Sequence, residues 1–198
     1  MSTIHTAIRA ACTAQATVHT PLGPLLIART AKGLAGTWFD GQKHHPGELG
    51  APDAPDDPLL ARAADELKRY FAGESGCFGD HFDVPLDLLG TPFQRAVWQA
   101  LLAIPAGSTS TYGTIARALG SAAAVRAVGG AVGRNPVSVI VPCHRVVGAD
   151  GSLTGYAGGV ARKQAMLSLE ARGSTQDRPA AAKVSHANGA RPTVRAIA

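Results

Sequence analysis

Apolar and polar positions along the chain fall into segments of different period. Residues 17–39 read as short strands, broken at Leu22-Gly23-Pro24 and at Lys32-Gly33. Residues 40–57 are rich in Gly, Pro and Asp and read as a loop. After it, Leu59, Leu60, Ala63, Ala64, Leu67 and Phe71 recur at helical spacing up to Gly73. Asp57 is placed to cap that helix, with Pro58 at its first position. A loop and a short strand over 82–88 follow.

Near residue 90 the character changes. Thr91-Pro92 opens a second helix with Phe93, Val97, Leu101 and Leu102 on one side, and Ile104-Pro105 ends it. Thr111 can cap a short helix over 112–119, which Gly120 can stop in the left-handed conformation. An alanine-rich helix over 122–132 comes next, so two short helices meet across a glycine turn as a helix-turn-helix. Gly133-Arg134-Asn135-Pro136 ends the pair. The apolar run 137–141 then predicts a strand leading to Pro142-Cys143-His144-Arg145. Asp150-Gly151 is a turn, residues 155–159 form a glycine-rich loop, and 160–171 make a last helix. Residues 173–198 carry no apolar period and are expected to be disordered. No internal repeat is present.

Composition adds bounds. At 198 residues, 45% apolar and 17% charged, the chain is long enough for one domain or two small ones with a real core. No apolar run nears the roughly 20 residues that span a bilayer. Thr, His, Arg and Gln interrupt any secretory apolar region within residues 1–20, and residues 1–16 read as an N-terminal extension. Cys12, Cys77 and Cys143 are an odd count without a CxxC pair. That points away from a disulfide framework or zinc ribbon and towards the cytoplasm.

Charge is uneven. Residues 1–90 hold 7 Lys/Arg against 11 Asp/Glu, residues 91–172 hold 8 against 2, and the tail 173–198 holds 4 against 1. The middle segment is therefore the candidate surface for a polyanion; a merely soluble basic face fits the same count.

Cys143 is the candidate nucleophile. Such a thiol is expected to have its pKa lowered from about 8.5 to roughly 3.5–7.5. Adjacent residues do not place side chains face to face. His144 is therefore expected to take the thiol proton through a water while a carboxylate orients its ring. Asp150 and Glu170 are the two acids of residues 91–172. Asp150 lies in a turn, so Glu170 is the better orienter. A structural cysteine beside a satisfied histidine is the alternative, and the adjacency taken alone favours it.

The stretch Ala122 to Ala131 carries a single bulky polar residue, Arg126. Gly129 and Gly130 each cost the helix about 1 kcal/mol relative to alanine, so close approach of another surface should offset them. That surface could be a neighbouring helix or a nucleic-acid groove entered by Arg126.

Together these residues carry a resemblance. Arg126-Ala127-Val128-Gly129-Gly130, Asn135-Pro136, Pro142-Cys143-His144-Arg145-Val146 and Gly155-Tyr156-Ala157-Gly158-Gly159 resemble the O6-alkylguanine-DNA alkyltransferases, in style the bacterial Ogt type. The likeness runs from about residue 17 to 172 and is strongest from 91. It implies an α/β + α architecture. An N-terminal ribonuclease-H-like α/β domain (17–90) would precede a winged-helix-like, mostly helical DNA-binding domain with a helix-turn-helix (91–172).

The implied activity is direct-reversal repair of double-stranded DNA containing O6-alkylguanine. The damaged base is flipped through the minor groove and its alkyl group moved stoichiometrically to Cys143. No cofactor, metal or membrane is involved. The implied protein is a monomer, with clustering along DNA and activity on O4-alkylthymine left open.

The resemblance also assigns roles. Arg126 would fill the vacated stack, with Ala127, Gly129 and Gly130 on the DNA-facing helix. Tyr112 would press the target phosphate and meet the guanine. Asn135 would join the recognition helix to the active-site strand. Backbone groups of Cys143 and Val146 would read the guanine amino group, and Tyr156, Ala157 and Gly158 would wall the pocket. His144 and Glu170 keep the roles given above.

Two departures stand out. Cys12, His19, His44, His45 and His81 lack the ligand spacing of a structural zinc site. Ser138 stands where some relatives carry proline, which would loosen the pocket rim towards larger alkyl groups. The competing functions are a cysteine hydrolase, a non-catalytic damage binder and a transcription factor. Turnover, the presence of Cys143 and the lack of a regulator domain separate them from alkyl transfer.

Overall fold

The computed structural model describes residues 3–74 and 82–176. The first element is a helix that the sequence reading left as an extension, α1 (Thr3–Ala11). Ile8 is fully buried against Ala28, Trp38 and Leu49, with Ile4 one turn earlier packed beside it. The first strand, β1 (Ala14–Thr20), starts before residue 17. Its inward positions Ala14, Ala16 and Val18 alternate as a half-buried strand requires, but two alanines give that alternation little hydrophobic contrast.

β1, β2 (Gly23–Arg29) and β3 (Leu34–Phe39) form an antiparallel meander in sequence order, with a register shift between Ala28 and Arg29. Helix α2 (Pro58–Ala72) covers β1 and β2 with Leu60, Ala63, Leu67 and Tyr70. Its cap is as expected: Asp57 accepts from the amides of Leu59 and Leu60, and Gly73 closes the helix at φ 74°. Asp57 also pairs with Arg29 at 3.0 Å, tying the helix start to the sheet.

The expected strand over 82–88 is reduced to a single bridge between Leu34 and Leu86. Leu34 donates to Pro85 O at 2.7 Å and Asp87 donates back to Leu34 O. Pro85 has no N–H to extend a ladder.

The second half is mainly helical. Helix α3 (Pro92–Leu102) opens on a reciprocal capping box between Thr91 and Gln94. Strand β4 (Ser110–Thr111) leads into α4 (Tyr112–Ala118), capped by Thr111 and followed by Gly120 at φ 78°. The alanine-rich segment is not one helix. Ala122–Ala124 is a 3₁₀ turn without a side-chain cap, and α5 (Val125–Gly133) begins after it. Trp98 Nε1 donates to Ala131 O at 2.9 Å, fixing α5 on α3.

The expected strand 137–141 is a looped turn, and Asn135 is the reason. Its Oδ1 accepts from Val137 N and its Nδ2 donates to Val137 O and Val141 O. Side-chain bonds thus replace a ladder. Val139 sits at φ 74°, a strained position for a β-branched residue.

β5 (Val146–Val147) pairs in parallel with β4. The last helix, α6 (Val160–Gln176), outlasts its expected end at 171. Gly173 costs about 1 kcal/mol relative to alanine, but the first proline comes only at Pro179. The rest of the expected disordered tail, 177–198, lies outside the described residues, as does Cys77. One apolar cluster runs through both halves, from Leu25 and Tyr70 to Val128, Val137 and Met166. No helix among the described residues is long and apolar enough to cross a membrane.

Candidate active site

Cys143 opens a 3₁₀ turn, Cys143–Arg145, at the end of the Asn135-bound loop, and is 5% exposed. Asn135 Nδ2 reaches its Sγ at 3.0 Å. The loop is fixed from the other side by β3. Thr37 N donates to Pro136 O at 2.9 Å, Ser138 N donates back to Thr37 O at 3.1 Å, and the Thr37 hydroxyl bonds Ser138 O. Ser138 itself is buried, with its hydroxyl on Gln42 Oε1 at 3.3 Å. The N-terminal domain therefore holds the cysteine loop in place.

The expectation of a lowered thiol pKa is not met. Burial pushes the Cys143 thiol up to about 11, against the opposing pull of the Asn135 hydrogen bond, nearby amides and the Lys163 charge. The thiol at rest is therefore protonated, and a neighbouring base has to take its proton.

His144 is fully buried and its Nε2 lies 2.7 Å from Glu170 Oε1. The Glu170 carboxylate is surrounded by donors. Arg145 Nε and Nη2 reach its two oxygens at 3.0 Å each, the Tyr70 hydroxyl donates to Oε1 at 2.8 Å, and Gly107 N donates to Oε2 at 3.3 Å. Burial alone would raise this carboxyl. Hydrogen bonds and charge from His144 and Arg145 instead bring it down to about 2.

An ionised Glu170 on Nε2 makes that nitrogen the proton carrier and leaves Nδ1 with the lone pair. Among the described residues, His144 Nδ1 is buried without a hydrogen-bond partner. Burial lowers the histidine pKa, with Glu170 pulling the other way. The ring is therefore a neutral base with one nitrogen oriented and the other open.

The remaining expected residues divide into two groups. Tyr112 and Tyr156 lie close enough to the thiol to interact with it electrostatically, and Ala157 and Gly158 follow Tyr156 in the chain. Tyr112, at the start of α4, donates to Thr154 O at 3.4 Å, and its pKa is raised by burial and then by Cys143. Tyr156 lies over Gly158, where an added Cβ would stand 2.5 Å from the ring. A cleft of about 410 Å³ is lined by Tyr156, Ala157, Gly129 and Gly130. Val146 is buried, and its carbonyl accepts from Lys163 Nζ. Arg126 and Ala127 stand apart, exposed on the first turn of α5.

Sequence reasoning missed three contributors. Arg145 stands in the cysteine motif without a role of its own in the sequence, whereas it clamps Glu170 and donates to Ile104 O. Tyr70 sits on the apolar face of α2 and reads as core; its hydroxyl, which needs a partner when buried, was the available signal. Lys163 is 1% exposed and donates to both Val146 O and Thr154 O, joining β5 to the residue that precedes the glycine-rich loop. A lone lysine on a helix carries no such signal.

Comparison with known proteins bears on this arrangement directly. A family described as "6-O-methylguanine DNA methyltransferase, DNA binding domain" matches residues 92–172, and its "ribonuclease-like domain" matches residues 14–88. The methylated-DNA–protein-cysteine methyltransferase of Mycobacterium tuberculosis is 48% identical over 154 residues, covering 78% of this chain and 90% of the relative. The protein of that name from Methanosarcina acetivorans is 46% identical over 153 residues, covering 76% and 93%. The solved M. tuberculosis OGT in complex with DNA superposes with a TM-score of 0.72 at 45% identity, covering 81% of this chain and 94% of the other. Its O6-methylguanine methyltransferase structure gives 0.71 at 46%, covering 80% and 92%. With both segments matched in order and relatives this similar spanned almost end to end, the chain belongs to the 6-O-methylguanine DNA methyltransferase family.

Proposed function

We propose that the chain repairs O6-alkylguanine in double-stranded DNA by taking the alkyl group onto Cys143, once per molecule. The observation that carries this reading is a buried Cys143 followed in the chain by a buried His144, whose Nε2 is committed to Glu170 and whose Nδ1 has no hydrogen-bond partner among the described residues. Such a thiol is quiet towards solvent electrophiles. It becomes a nucleophile when a substrate sits in the cleft and His144 takes its proton.

The steps balance simply. The Cys143 proton passes to His144 Nδ1 through one water, and Glu170 stabilises the imidazolium. The sulfur attacks the alkyl carbon in line, a C–S bond forms, and the C–O6 bond breaks with its electron pair on guanine. Tyr112 protonates the leaving guanine and is reprotonated from solvent. The product is a thioether. A thioether C–S bond does not hydrolyse under these conditions even with His144 and a water beside it, which supports single turnover.

Base flipping brings the guanine to the thiol. It costs a few kcal/mol, less where alkylation has weakened pairing, and that difference favours the damaged base. Arg126, exposed at the start of α5, would occupy the vacated stack, and the glycine face of α5 would lie against the groove. Tyr156, Ala157 and Gly158 would enclose the base. O4-alkylthymine is a smaller base with the same leaving chemistry and fits the same scheme.

Turnover tests the reading. Product formed with excess methylated duplex should stop at one equivalent per protein. Continued release would instead identify a cysteine hydrolase built on Cys143, His144 and Glu170.

A further inference from the structure

We infer that the N-terminal domain contributes a phosphate-binding subsite in the cleft that Tyr156 and Ala157 share with α5. Lys43 and His44, with Arg134 at the end of α5, would hold a backbone phosphate of the strand that carries the extruded nucleotide. This rests on the reading of the site as an alkylguanine pocket.

The loop after β3 is built to present these groups. Lys43 N donates to Ala157 O at 2.9 Å, attaching the loop to the glycine-rich wall of the pocket. On the other flank Gln42 is buried, its Oε1 accepting from Phe39 N at 2.8 Å and from the Ser138 hydroxyl at 3.3 Å. Further along, the Arg9 guanidinium bonds Pro46 O. Lys43 is thus an exposed side chain on an anchored backbone. His44 beside it stands at φ 63°, a left-handed conformation that a non-glycine residue holds only where its surroundings impose it.

The charges converge without compensation. Lys43, His44 and Arg134 all line the 410 Å³ cleft, and its lining includes no carboxylate. The His44 pKa is lowered by burial and then by Arg134, Lys43 and His5, so Lys43 and Arg134 carry the charge here, beside a His44 whose protonated form they disfavour. An anion bound between the two would offset both charges.

Another wall is α5, where the Arg134 guanidinium lies over Gly130, donating to its carbonyl at 3.1 Å. An added Cβ at Gly133 would meet nothing within 4 Å, and one at Gly129 would meet only the Tyr112 ring, at 3.9 Å. Glycine-rich helix backbone together with the Lys43 and Arg134 charges, with no carboxylate in the lining, suits a sugar-phosphate chain. It does not suit an apolar or a cationic partner. The cleft also contains Tyr156 and Ala157, so a phosphate there would belong to the nucleotide that enters the pocket or to its neighbour.

The test uses the full chain, undamaged duplex DNA over a range of salt concentrations, and free O6-benzylguanine as a probe without phosphate. Lys43→Gln should flatten the plot of log affinity against log salt by about 0.9, the contribution of one phosphate contact. Lys43→Arg should restore the slope. Alkylation of Cys143 by free O6-benzylguanine should proceed at the wild-type rate in both variants. A wild-type slope in Lys43→Gln, or an equal loss of rate with O6-benzylguanine, would overturn the subsite. Wild-type protein whose Cys143 is alkylated neither by O6-methylguanine duplex nor by free O6-benzylguanine would instead overturn the reading beneath it.

Discussion

The Tyr70 hydroxyl donates to Glu170 Oε1 at 2.8 Å, joining α2 of the N-terminal domain to α6 across 100 residues of sequence. The same oxygen receives His144 Nε2 and Arg145 Nη2. The N-terminal domain therefore helps to fix the carboxylate that orients the histidine. It also pins the loop before Cys143 through Thr37 and Ser138. Chemistry placed in the second domain depends on the first for its geometry.

Glu170→Gln keeps the volume and removes the charge that holds His144 as a base. Transfer from methylated duplex should slow by roughly a hundredfold, the scale of a general base losing its driving force. Duplex affinity should stay at the wild-type value, because Glu170 is fully buried. Single-turnover kinetics and a binding titration on the same samples check both.

Acid should weaken the fold through the same pair. Glu170 has its pKa lowered from 4.5 to about 2 in the folded chain. Its contribution is fully present above 4.5 and is lost as pH falls towards 2. His144 is also lowered from 6.5, so the folded state favours the neutral ring, and that contribution begins to fade below 6.5. Urea midpoints should therefore fall as pH drops below 6.5, and more steeply below 4.5. In Glu170→Gln the second, steeper fall should flatten.

Asn135→Ala removes the donor to the Cys143 sulfur and to two carbonyls of the preceding turn. Stability should drop by roughly 1–3 kcal/mol for the buried acceptors left unpaired. The thiol, already near 11, should become harder to ionise. The pH profile of alkylation by iodoacetamide reads this directly: the curve should move to higher pH than in the wild type.

Arg126→Ala should slow repair of duplex DNA much more than reaction with free O6-benzylguanine, because a residue that fills the base stack matters only when there is a stack to fill. Equal losses on the two substrates would remove the finger role.

Elements whose caps and periods are local were legible in the sequence. Asp57-Pro58 through Gly73 and Thr91 with Gln94 show this, since each signal lies within one or two turns of the chain. Segments whose backbone is satisfied by distant partners were not. The run 137–141 has the composition of a strand, yet Asn135 and Thr37 take its hydrogen bonds and fold it into a turn. Helix α1 was hidden because a single residue, Ile8, is fully buried on it.

In the site, the chain-local motif around Cys143 and His144 stood out at once, and Glu170 followed from the scarcity of acids. The thiol pKa was misjudged because adjacency reveals nothing about burial. Tyr70, Arg145 and Lys163 act through contacts that span 17 to 100 residues, and no spacing rule reaches that far.

Intact-protein mass spectrometry after incubation with O6-methylguanine duplex tests the central claim most directly. The account predicts one added methylene per protein, located on Cys143 and absent from Cys143→Ala. An unchanged mass alongside repaired DNA, or more repaired bases than protein molecules, would contradict it.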